Sequence, residues 1–137
     1  MPRIRFTALF AVALLAAGCQ KGPPPRVTGN VSGTVALGDA PLAAGVVILE
    51  DAKRGISSSA VIADGKFEFA DPVDIGEFRV AIHPPPQPPP HEMPATPPPP
   101  GPVIPERYVT AAKSGLTATV REGKNELPLR LDRAKSR

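Results

Sequence analysis

Few side chains in this 137-residue sequence have types and spacings that could do chemistry. His83 and His91, with Glu92 beside the second, are the candidates for a metal site, since imidazole and carboxylate are ordinary zinc ligands. Coordination needs ligands held rigidly and convergent, yet a run of mostly proline separates the two histidines. They read as parts of a solvated loop, and no metal is expected. Asp71 and Asp74 flank Pro72-Val73 as a general acid–base pair would, but such a pair needs a cleft that moves its pKa values. In a turn ahead of Gly76 the two carboxylates read as capping or solvated groups. Ser57, Ser58 and Ser59 have no histidine partner nearby in sequence and no nucleophile-elbow glycines, which argues against serine hydrolysis. The sequence has no phosphate loop, no dinucleotide fingerprint and no stripe of aromatic and basic residues. No catalytic residue and no cofactor is therefore expected. One reactive group remains, the thiol of Cys19, the only cysteine.

The residues ahead of Cys19 give that thiol a context. Arg3 and Arg5 form a basic start, and Phe6 to Ala17 is an apolar run shorter than the ~20 residues a spanning helix needs. Leu15-Ala16-Ala17-Gly18-Cys19 resembles the lipobox of bacterial lipoproteins. There, small residues before the cysteine admit the signal peptidase, and the thiol is acylated before cleavage. The resemblance implies a signal peptide over residues 1–18, lipid on Cys19, and a membrane as the first partner. Removing Arg3 and Arg5 from 16 basic residues leaves 14 against 13 acidic ones, a net charge near +1. Such a balance gives no reason to expect nucleic acid as a partner. A lone cysteine also excludes an internal disulfide, so packing alone must hold the exported chain.

The rest of the sequence must supply that packing. Residues 20–28 are polar and proline-rich and read as a tether, and residues 133–137 as a basic tail. Between them, residues 29–132 carry short apolar runs punctuated by turn residues, the pattern of an all-β sandwich. Val31, Gly33, Val35 and Leu37 alternate with small polar or small residues. Gly38-Asp39-Ala40-Pro41 reads as a turn, and Ala44 to Glu50 is apolar on both faces, as a central strand would be. Ile56 to Ile62 is a weaker strand interrupted by the serines. Ala63-Asp64-Gly65 predicts a hairpin turn, because glycine tolerates the positive φ of a tight connection. Lys66 to Phe69 alternates after it. In Gly76 to Ile82, Phe78, Val80 and Ile82 are expected inside, with Glu77 and Arg79 outside. Leu116 to Val120 and Leu127 to Leu131 alternate too, on either side of an expected turn at Gly123-Lys124-Asn125. Pro128 lacks a ladder donor, which places the last strand at an edge.

One segment breaks the pattern. Thirteen of the 22 residues from Pro84 to Pro105 are proline, out of twenty in the whole chain. Prolines fix φ and remove donors, so this stretch cannot join a sheet and is expected as a polyproline II or irregular arm. Its ends must return to one domain if Tyr108 to Val120 continues the sandwich.

The ordered motifs resemble the transthyretin-like or carboxypeptidase-regulatory-like β-sandwich found in small bacterial lipoproteins. Val31-Ser32-Gly33-Thr34-Val35, then Pro41-Leu42 and Gly45-Val46-Val47-Ile48, are similar to its opening. Ala63-Asp64-Gly65-Lys66-Phe67 resembles its turn, and Gly76-Glu77-Phe78-Arg79-Val80 its following strand. Ile104 to Tyr108, Ser114 to Thr117 and Gly123 to Asn125 resemble the tail of the lipoprotein subset. The turn is shortened here, and Phe78 stands where tyrosine is common. The resemblance spans roughly residues 27–132 and implies a single Ig-like or transthyretin-like antiparallel sandwich of about seven strands. It also implies a non-enzymatic binding or structural module of the cell envelope, with a protein or polysaccharide partner and no catalytic residues to carry over. An accessory domain that binds carbohydrate for a separate enzyme is the alternative. Such domains display exposed aromatics, whereas Trp is absent and Phe67, Phe69 and Phe78 fall at inward positions.

Overall fold

In the computed structural model, which describes residues 22–96 and 99–133, alternation decides which side of each strand is buried. Cys19 and the expected signal peptide lie outside the described residues. The strands are β1 (Thr28–Leu37), β2 (Ala40–Pro41), β3 (Ala44–Asp51), β4 (Ile56–Ala63), β5 (Lys66–Glu68), β6 (Val73–Asp74), β7 (Gly76–His83), β8 (Thr117–Val120) and β9 (Gly123–Leu131). Two four-residue helical turns, α1 (Glu106–Val109) and α2 (Ala111–Ser114), precede β8. The strands form one curled, mostly antiparallel sheet, and the fold is all-β. One face of the curl encloses the core: Val31 and Val35 of β1, Val47 and Leu49 of β3, Ile62, Phe67, Phe78, Val80, Ile82, Val120, Leu129 and Leu131. Apolar side chains of this size gain about 1.5–3 kcal/mol each on full burial, which is what holds a fold without a disulfide.

β3 is central, paired with β4 on one side and β7 on the other. The hairpin between β4 and β5 turns on Asp64 and Gly65, with φ of 51° and 73°. Two consecutive positive φ values define a type I′ turn, whose twist matches the flanking strands. β9 lies at an edge, as Pro128 required, since its ladder partner is β1 alone.

Three expectations need correction. The sheet has nine strands rather than about seven, because β2 and β6, each two residues long, add short rungs to β1. It is also not wholly antiparallel. β9 runs parallel to β1 over Gly29 to Leu37, crossing to that edge instead of folding back on β8. Alternation specifies which face is buried and is silent about strand direction. Gly123-Lys124-Asn125 opens β9 and is not the turn, which falls at Arg121-Glu122. Tyr108 to Ser114, between the proline segment and β8, lies in helical turns rather than a strand, and Tyr108 joins the same core. Pro105 precedes α1, and Gly115, left-handed at φ 69°, closes α2, the usual placement of these residues at helix ends. Both turns pack on the outer face of β7 and bury Ala81.

The strand directions put the loops at two poles. Thr28, the β3–β4 turn, the β6–β7 junction and the β8–β9 turn share the N-terminal pole. The Asp64-Gly65 hairpin and His83, where the proline segment begins, share the other.

Candidate functional site

A groove of about 510 Å³ lies on the outer face of β3, β7 and β8, beneath the β3–β4 turn. Strand alternation puts polar groups on its floor. Glu50 of β3 is directly across from Arg79 of β7, and Arg79 and Glu77 are across from Thr117 and Thr119 of β8. Its rim is built by Arg54. Asp51 ends β3 and accepts the backbone N–H groups of Lys53 (3.0 Å) and Arg54 (3.2 Å), which sets the turn. The Arg54 Nε then donates to the same carboxylate, and its Nη2 donates to the Ile75 carbonyl at 3.0 Å. The guanidinium also stands 5.6 Å from the centre of the Phe78 ring. Gly76 makes room for this reach, since a Cβ there would collide with the guanidinium. The hydrogen bond from Arg54 holds the Asp51 carboxyl below its ordinary value of 3.8, against a smaller opposing push from desolvation.

Acidic Glu50, Asp51 and Glu77 balance basic Lys53, Arg54 and Arg79 around this groove. The arrangement can exchange hydrogen bonds with a polar surface. It offers neither a stacking ring nor a single-signed field, because Phe78 is buried and Arg54 is bound to Asp51.

The structure separates the other candidates. His83 ends β7 half-buried, while His91 sits in a 3₁₀ turn, Pro90–Glu92, exposed and 3.8 Å from Glu92. No cluster of three metal-ligating side chains occurs among the described residues. Asp71 is exposed, and Asp74 lies in β6, 3.8 Å from Arg26. Ser57 and His83 border one shallow groove. Their registers nonetheless keep them apart, since Ser57 is across from Glu50 and His83 is across from Val46 on the intervening β3. Two strand spacings and four residues put them roughly 9 Å apart across the sheet and about 13 Å along it, far beyond hydrogen-bond reach.

Three polar devices were not readable as sites. Arg54 in a polar turn reads as solvated, although Asp51 before it carries an Asx-turn signal. Asn125 accepts from Arg121 N–H at 2.8 Å and donates to the carbonyls of Arg121 (2.7 Å), Gly123 (3.3 Å) and Asn30 (3.3 Å). The buried Tyr108 hydroxyl accepts the Asp132 backbone N–H at 3.0 Å and an Arg107 N–H at 2.8 Å. All three fasten loops to strands. A comparison with protein-family models, curated proteins and solved structures finds no match.

Proposed function

We propose that the chain is an exported, membrane-anchored lipoprotein of the bacterial cell envelope, carrying lipid on Cys19 and a non-enzymatic binding or structural domain. The observation that carries this reading is Leu15-Ala16-Ala17-Gly18-Cys19, with the sole cysteine at the expected cleavage junction. Residues 20–27 between that cysteine and β1 are long enough for a tether of roughly 25 Å at 3.1 Å per residue. The tether's end is fastened to the domain, because the Val27 carbonyl accepts the Ile75 N–H at 3.1 Å. Among the described residues no helix is long and apolar enough to cross a membrane.

On this reading the curled sheet over residues 29–132 is a single transthyretin-like sandwich, interrupted by the proline-rich loop 84–105. Its all-β fold and buried inward rows support that assignment. A polysaccharide-stacking role is less well supported, since Phe67, Phe69, Phe78 and Tyr108 are all buried.

Metabolic labelling with a fatty-acid analogue tests the anchor. The wild-type chain should take up label and move with the membrane fraction, and Cys19→Ala should lose both properties. Equal labelling of the two chains would refute the lipoprotein reading.

A further inference from the structure

The groove under Arg54 is charge-balanced and the outer sheet face has no evident occupant, but the proline segment has specific chemistry. It leaves β7 at His83, roughly 24 Å along the strand from Gly76 at the tethered pole. Its base is fixed. The Pro85 ring lies 3.6 Å from where a side chain on Gly101 would begin, and Pro105 is buried. Between these points, residues 86–96 are all exposed. Pro89 has φ −61° and ψ 152°, and Met93 has φ −65° and ψ 129°, both in the polyproline II region.

We propose that Pro84–Pro89, ahead of the 3₁₀ turn, is a polyproline II ligand for a partner protein whose groove is lined by tryptophan and tyrosine. Five of these six residues are proline and the other is Gln87, so the stretch has no charge and one backbone N–H. Its carbonyls still accept hydrogen bonds, and its pyrrolidine rings present apolar faces. A complementary surface must therefore supply donors and flat apolar rings together, which tryptophan and tyrosine do. Pro86-Gln87-Pro88-Pro89 has the P-x-x-P spacing that such grooves accept, and a preformed helix loses little entropy on docking. A second copy of this chain cannot be the partner. It has no tryptophan, its one tyrosine is buried at Tyr108, and Phe67, Phe69 and Phe78 are buried as well. The site's distance from the membrane rests on the Cys19 reading; its ligand chemistry does not.

The test uses the full chain in detergent, titrated into an SH3 domain and separately into a WW domain as probes, following the probes' tryptophan fluorescence. This chain adds no tryptophan signal of its own. A saturable change is expected with at least one probe, competed by a peptide of residues 84–92 and little altered on raising salt to about 0.5 M. The combined Pro86→Ala, Pro88→Ala and Pro89→Ala chain should melt normally and bind about tenfold more weakly or worse. Silence from both probes overturns the proposal, as does equal binding by the alanine chain or binding abolished by salt. The same titration on Cys19→Ala should match wild type, so failure here and failure of the lipid anchor read out separately.

Discussion

Arg54 and Ile75, 21 residues apart, are joined by a 3.0 Å hydrogen bond from the Arg54 guanidinium to the Ile75 carbonyl. The bond fastens the β3–β4 turn to the entry of β7. It does so from a side chain already bound to the Asp51 carboxylate and placed over Phe78. A hairpin turn that could otherwise fray is thereby held against a second loop, and the same contacts shape the rim of the groove.

Removing that side chain should loosen both loops. Arg54→Ala is expected to cost about 1–2 kcal/mol, the usual scale for losing charge-assisted hydrogen bonds. Arg54→Lys should recover little of it, because one ammonium cannot reproduce the planar fork that serves the carboxylate and the carbonyl together. Urea midpoints of the three chains give the comparison. An unchanged midpoint for Arg54→Ala would make the latch incidental.

Asp51 gives the latch a pH signature. Its folded pKa is lowered, first by the hydrogen bond from Arg54, so folding favours the ionised form. The associated stability is fully present above the ordinary value of 3.8 and is lost as pH falls through the lowered folded value. Wild type should therefore lose its margin over Asp51→Asn as acid is added below about pH 4, while the margin persists at neutral pH. Melting temperatures of both chains across that range decide it; a constant margin would contradict the assignment.

The inward and outward rows predict opposite outcomes for adjacent residues. Phe78 is 1% exposed, and Phe78→Ala should cost about 3–5 kcal/mol. Arg79 is exposed, so Arg79→Ala should change stability by only about 0.5 kcal/mol. Denaturant melts of the two variants would show a reversed sheet face as a reversed order.

Such rows were legible because a strand has period two and one buried face, which Phe78, Val80 and Ile82 display plainly. The Asp64-Gly65 hairpin was legible for a local reason too, since the turn needs positive φ at both positions. Strand partners are not local. Leu127, Leu129 and Leu131 announce a buried row, but the same row fits an antiparallel neighbour or the parallel β1. What directs β9 to β1 includes Asn125, whose bond to the Asn30 carbonyl joins positions 95 residues apart. The rim of the groove was hidden likewise, because a charged residue in a turn reads as solvated until the carbonyl it reaches is seen.

Asn125 should accordingly be the costly polar position at the β8–β9 corner. Asn125→Ala removes the acceptor for Arg121 N–H and the donor to three carbonyls, for an expected loss of about 1–3 kcal/mol. Asn125→Asp keeps the acceptor but faces those carbonyls with negative charge, so it should not rescue the loss. Hydrogen exchange at Arg121 and along β9 localises the effect. A corner that stays protected in Asn125→Ala would assign its stability to the backbone instead.

The proline arm and its root should behave differently on shortening. Residues 86–96 are exposed and none joins a strand. Replacing residues 86–101 with a short Gly/Ser linker should leave the melting temperature nearly unchanged, because halving a flexible loop alters closure by only about 0.6 kcal/mol. The root is another matter, since Ile104 packs partly buried against the core and Pro105 is buried just before α1. Ile104→Ala should therefore cost about 1–2 kcal/mol, below the range for a fully buried isoleucine. Melting both variants beside wild type separates the two parts. If the linker chain lost more stability than Ile104→Ala, the prolines would have to contribute packing that their exposure does not suggest. If the linker chain melts like wild type while losing the probe fluorescence change, the arm serves recognition and the root serves the fold.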